Sequence, residues 1–150
     1  MGKLTSGDAK MILETTTTIV EYENQIIYLR LKEGAEIDLE NTLEQYAAQK
    51  DLTKNTFYGV LVDARNFVTM DKASRNFMSA YTNPHRVATA LLTQHNLATR
   101  FLANIYLKLD KPKIETKMFG EENEAVMWLK SKLYTAEERL KVVHTNTEIK

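Results

Sequence analysis

Along this chain short apolar runs alternate with polar turns, and the spacing of apolar positions switches between a period of two and a period near four. Residues 1–10 are small and polar, with little to bury, and read as a loose leader. Met11 to Tyr22 is Thr-rich and β-branched and predicts a strand. Gln25 to Lys32, where Leu29 and Leu31 alternate with Tyr28 and Arg30, predicts a second strand, joined to the first by a turn at Glu23-Asn24. Asp38 can cap a helix whose Leu39, Leu43, Tyr46 and Ala47 form one apolar stripe, so that this stripe is expected to pack on a sheet. Phe57 to Val62 is almost wholly apolar, as a central strand covered on both faces should be. A second helix is predicted from Asp71 to Tyr81, with Ala73, Phe77 and Ala80 on one side, ending before Asn83-Pro84.

The pattern continues in the second half. Val87 to Thr93 predicts a strand, and after a capping Asn96 the residues Leu97, Phe101, Ile105 and Leu109 recur every four positions, a helical stripe that Lys111-Pro112 ends. Ile114 to Phe119 alternates with Glu115 and Lys117, which suits a charged edge strand. A last helix starts near Glu121, with Glu121, Glu122 and Glu124 at the positive end of its dipole and Ala125, Trp128 and Leu129 as its buried face. The order β-β-α-β-α-β-α-β-α defines an α/β fold: a mostly parallel five-stranded sheet with an N-terminal antiparallel hairpin and four helices. One domain is expected over residues 11–133, followed by a polar tail over 134–150 that is frayed or helical, with no internal repeat and no linker.

Composition narrows the function classes. Twenty basic residues balance twenty acidic ones, which argues against a nucleic-acid binder relying on a basic surface. There is no cysteine, which excludes disulfides, thiolate metal sites and a cysteine nucleophile and fits the reducing cytosol. With neither a signal pattern nor an apolar run long enough to span a bilayer, a cytoplasmic protein without a membrane span is expected.

In an open α/β sheet, functional groups collect just past the carboxyl ends of strands, where loops and helix N-termini present side chains and N–H groups together. Here that place is filled by Asp63, Arg65, Asn66, Thr69, Asp71 and Ser74. The element order and the segment VLVDARNFVTMDKAS resemble the STAS family, the SpoIIAA-like anti-sigma-factor antagonists, over about residues 12–130. Typical members carry a strand ending in Asp, then an Asp-Ser-Ser-Gly turn whose second Ser is phosphorylated by a partner kinase. Asp63 and Asp71 match the two acidic positions, but Lys72-Ala73-Ser74 replaces Ser-Ser-Gly, so Ala73 stands at the phosphoacceptor position. Ser74 and Thr69 remain as displaced phosphoacceptor candidates. The later part, with Arg100-Phe101-Leu102-Ala103-Asn104, Lys111-Pro112-Lys113 and Trp128-Leu129, looks like a divergent stand-alone bacterial branch of the same family.

The resemblance implies a SpoIIAA-like β-α superhelix and a non-enzymatic regulatory module that binds a protein partner and forms a homodimer. Because the superhelix is shared with CRAL-TRIO lipid-binding domains, the alternative is a carrier or sensor of a small apolar or lipid ligand, with Phe101, Leu102, Ile105 and Tyr106 as its pocket or as a dimer surface. Arg65 and Arg100 follow different parallel strands and could meet as an anion clamp. His95 could neighbour Asp63, which leaves a hydrolase or transferase using that pair as a weaker option. His85, His95 and His144 lack metal-ligand spacing, and no phosphate-binding or dinucleotide fingerprint is present, so neither metal nor cofactor is expected.

Overall fold

The computed structural model describes residues 10–66, 69–94, 104, 107–108 and 111–149. A six-stranded sheet is built from β1 (Met11–Glu14), β2 (Thr18–Glu23), β3 (Ile26–Leu31), β5 (Tyr58–Asp63), β7 (Arg86–Leu92) and β8 (Thr116–Phe119), in that spatial order. The first three strands are antiparallel neighbours, and β3, β5, β7 and β8 run parallel. A separate two-stranded parallel pair joins β4 (Glu36–Ile37) to β6 (Thr69–Met70). Three helices are described: α1 (Leu39–Thr53), α2 (Lys72–Ala80) and α3 (Glu122–Ile149).

The sheet thus has six strands, where five were expected, because Met11 to Tyr22 is two strands. Thr15, Thr16 and Thr17 read as strand by propensity, yet the Thr15 hydroxyl donates to the Thr18 carbonyl (3.0 Å) and accepts from the Thr18 N–H (3.1 Å), closing a turn. The next hairpin turns at Asn24 and Gln25, both at positive φ (51° and 65°), as a two-residue loop matched to strand twist requires. The fourth expected helix, 97–109, falls largely outside the described residues. The segment expected as a tail from residue 134 continues α3 without interruption to Ile149.

Both faces of the sheet are covered. Ile26, Leu61, Ala88, Ala90 and Leu92 pack against Ala125, Leu129 and Leu133 of α3. That approach is close: a Cβ at Gly59 would come within 3.1 Å of the Leu129 side chain, which would have to give by a few tenths of an ångström to admit it. On the other face Val20, Ile27, Leu29, Tyr58 and Val60 pack against Ala48 and Leu52 of α1.

The orientation of α1 departs from its periodicity. Its buried residues are Thr42, Gln45, Ala48, Gln49, Leu52 and Thr53, while Leu39 and Leu43 are 37% and 46% exposed, Ala47 is exposed and Tyr46 is half-buried. The expected apolar stripe therefore looks outward. The inward polar groups are satisfied locally, since the Thr42 and Thr53 hydroxyls donate to the carbonyls of Asp38 (3.0 Å) and Gln49 (2.9 Å). The start of α1 is fixed by a reciprocal cap: Asp38 accepts from the Asn41 N–H (2.8 Å) and Asn41 accepts from the Asp38 N–H (3.2 Å).

Candidate functional site

At the carboxyl ends of β3 and β5 the parallel register sets Arg30 directly beside Asp63. Arg30 and Asp63 project toward the α3 side of the sheet, where Glu122 opens that helix. Arg30 Nη1 donates to Asp63 Oδ2 (2.9 Å) and to Glu122 Oε1 (2.7 Å), and Nη2 donates to Glu122 Oε2 (3.2 Å). Its Nε lies 3.7 Å from Glu21, its guanidinium lies over the Tyr28 ring at 5.0 Å, and Glu21 is in turn paired with Lys10 at 2.8 Å. Arg65 folds back onto the same group, donating from Nε (2.9 Å), Nη2 (2.8 Å) and its backbone N–H (3.3 Å) to Asp63. One carboxylate thus receives two guanidinium groups, and the bidentate contacts fix both in orientation.

Electrostatics follows the geometry. Burial works against the charge on Asp63, but hydrogen bonds from Arg65 and Arg30 more than offset it and hold the carboxyl below the usual carboxylate range. The Arg30 hydrogen bond lowers Glu122 likewise, against a smaller effect of burial. The two guanidinium groups thereby hold the Asp63 carboxylate in place at the mouth of the strands.

The described residues that follow are held by bonds to β3 and to the chain around β4. Asn66 Nδ2 donates to the Leu31 carbonyl (3.1 Å), the Thr69 N–H donates to Ala35 O (3.0 Å) and the Asp71 N–H donates to Ile37 O (3.1 Å). Thr69 is therefore an exposed residue of β6 and does not cap α2; Asp71 does, accepting from the Ser74 N–H at 2.8 Å. Ser74 is 0% exposed, and its hydroxyl has no hydrogen-bond partner among the described residues. A kinase could reach Ser74 only by opening α2. Among the sequence candidates, then, Asp63, Arg65 and Asn66 are joined to neighbours, Asp71 and Ser74 meet across one cap, and Thr69 stays on the surface. His95, Arg100, Phe101, Leu102, Ile105 and Tyr106 lie outside the described residues, and with them the proposed clamp, the proposed acid–base pair and the apolar pocket.

Sequence reasoning passed over the other end of the sheet. At the start of β7 the register shifts, Tyr58 pairing with Arg86 and Gly59 with Ala88, so Val87 is an extra residue and Arg86 points to the α1 face beside Tyr58. There Arg86 is 8% exposed, with its guanidinium centre 5.0 Å from the Tyr46 and Tyr81 rings and 5.9 Å from Tyr58. Arg86 Nη2 donates to Gln49 Oε1, and Gln49 Nε2 donates to Gln45 Oε1. Asn83 Nδ2 donates to the hydroxyls of Tyr81 (3.1 Å) and Tyr58 (3.3 Å). No carboxylate pairs with Arg86 among the described residues. Burial raises Tyr46 and Tyr58 above the ordinary phenol range, against the pull of Arg86, so both are protonated near neutrality. The one readable signal was a lone basic residue next to a predicted strand start.

Together these features define an α/β domain with a three-stranded antiparallel opening, a charge-paired surface at the carboxyl ends of its strands and a caged arginine at the amino ends. The chain belongs to the family DUF7793, a domain of unknown function, whose family model matches residues 20–133. Among solved structures, a crystal structure of an uncharacterised protein of the DUF3478 family with a SpoIIAA-like fold, from Shewanella loihica PV-4, is similar at 11% identity over 86% of this chain and 95% of that one, with a TM-score of 0.48. No curated protein matches the sequence. Among the described residues no group of three or more His, Cys, Asp or Glu is placed to hold a metal ion, and no helix is long and apolar enough to cross a membrane.

Proposed function

We propose that this domain is a non-enzymatic regulatory module that binds a protein partner at the carboxyl end of its parallel strands, through Arg65, Asn66, Thr69 and Asp71 and the adjoining Lys72. The observation that carries this reading is the way both flanks of the segment are held: Asn66 is tied to β3 and β6 to β4, while Arg65, Asn66, Thr69, Asp71 and Lys72 remain exposed. A surface ordered before binding loses less conformational entropy when a partner arrives. The mutual neutralisation of Asp63 with two arginines favours a binding role over acid–base chemistry. The STAS resemblance supports the same reading, and Ala73, together with the burial of Ser74, favours regulation without a phosphoserine at this turn.

The test compares proteins captured from the source cells by the wild type and by Arg65→Glu and Lys72→Glu variants, quantified by isotope labelling. One protein retained by the wild type and depleted about tenfold or more by both variants is expected, a change of about 1.4 kcal/mol in affinity. Retention unchanged in both variants would remove this surface from the reading.

A further inference from the structure

Among the described residues, two of the surfaces that expose apolar side chains carry opposite charges around them. The first is the outer face of α1 and α2. Leu39, Leu43 and Ala47 are exposed on α1, Ala73 and Ala80 are exposed on α2, and the Tyr46 and Phe77 rings meet edge-on at 5.1 Å to join the helices. The β4–β6 pair sets the two helix starts side by side, and Glu36, Asp38, Glu40 and Asp71 are all exposed there, against a single exposed lysine, Lys72. This face is apolar with an acidic end.

The second surface is the end of α3. Gln25 Nε2 donates to Glu137 Oε1 (3.1 Å) and ties the helix to the β2–β3 turn. Beyond that tether every residue from Arg139 to Thr145 is exposed, including Leu140 (46%) and Val142 (58%), and the stretch carries Arg139, Lys141 and no acidic residue. A helix that projects from its own sheet with leucine, valine, Arg139 and a Lys141 that pairs with Glu138 one turn back (3.2 Å) is complementary to an acidic apolar helix face. Apolar burial would supply the attraction, and charge would choose the orientation.

We propose that the stretch of α3 from Arg139 to Thr145 docks on the α1–α2 face of a second copy of this chain, reciprocally, giving a closed two-fold dimer by exchange of arms. The acidic end of this face shares Asp71 and Lys72 with the partner surface above, but the dimer is read from the exposed helix faces and does not depend on the partner reading. Two identical contacts related by a two-fold axis close the assembly and leave no free arm to propagate it.

The chain has no cysteine, so single cysteines can report the contact without interference. Leu43→Cys and Leu140→Cys proteins, carrying different mass tags, are mixed and mildly oxidised. The mixed Leu43–Leu140 disulfide is expected to exceed either like-with-like disulfide by about tenfold, because the bond needs Cα atoms within about 7 Å. Sedimentation equilibrium supplies the second reading: the wild type is a dimer, Leu140→Asp and Lys141→Glu each weaken it by about tenfold or more, and Glu40→Lys partly restores the Lys141→Glu protein. A wild type that sediments as a monomer at high concentration overturns the proposal. So does a dimer whose disulfides join Leu140 to Leu140 or Leu43 to Leu43.

Discussion

Arg30 and Arg86 sit at opposite ends of the same parallel strands and stabilise them by different physics. Arg30 is partly solvated and is held by carboxylates: Asp63, Glu122 and Glu21 surround it. Arg86 is buried and is held by three phenol rings and an amide, with no carboxylate among the described residues. The first arrangement depends on ionised acids and so on pH and salt. The second depends on packing and on the orientation of aromatic rings, each worth about 0.5–2 kcal/mol to a desolvated cation. The charged end is a held but solvent-facing surface and the caged end is buried framework, and that division is why the proposed function is placed at the former.

The largest effect should come from emptying the cage. Arg86→Ala removes a buried guanidinium, leaves Gln49 Oε1 without its donor and opens a cavity, and is expected to lower stability by about 3–5 kcal/mol in urea unfolding. Arg86→Met, which fills more of the space, should cost clearly less. An equal loss in the two variants would mean that packing contributes little at this end.

Next comes Arg30→Met, expected to cost about 1–3 kcal/mol at neutral pH, discounted for its partial exposure. Its pH dependence separates it from the cage. Asp63 and Glu122 titrate below their unfolded values, so the stabilisation is complete above the ordinary carboxylate range and is lost as pH falls through the lowered folded values. The difference between wild type and Arg30→Met should therefore shrink below about pH 4. Tyr46 and Tyr58 are raised, so their contribution is complete below about pH 10 and is lost as pH rises through the folded values. Acid should loosen one end and alkali the other, which unfolding curves across pH would show directly.

Smaller effects sharpen the picture of the segment between. Asp71→Ala removes the α2 cap and should cost about 1 kcal/mol. Ser74→Ala removes a buried hydroxyl that has no partner, and should be neutral or stabilising by up to about 1 kcal/mol. A marked loss of stability in the serine variant would show that the hydroxyl is bonded in solution.

How far the chain could be read in advance follows from where its signals are local. The apolar run before Asp63 announced a central strand, and β5 lies between β3 and β7. The alternation after Ile114 announced an edge, and β8 is one. The mostly parallel sheet with its antiparallel opening was legible for the same reason. Thr15 misled, because the two bonds of one hydroxyl helped turn a β-branched run into a hairpin. α1 misled more deeply. Its leucines looked like the buried stripe, but the helix turns Thr42, Gln45 and Gln49 inward, toward the sheet face on which Arg86 sits. Arg86 reaches that face only because Val87 is an extra residue in β7, and a bulge leaves no mark in periodicity. At the candidate site the residue types were legible, but their pairing was not: Arg30 lies 33 positions before Asp63 and 92 before Glu122.

The central claim is that partner recognition belongs to the charged end and not to the caged end. A photo-crosslinking amino acid placed at Lys72, and separately at Thr82, both exposed and at opposite ends of α2, tests it in the source cells. Cross-links between two copies of this chain aside, the account predicts one discrete adduct with a different protein from position 72 and none from position 82. The same adduct from both positions, or an adduct from position 82 alone, would contradict it.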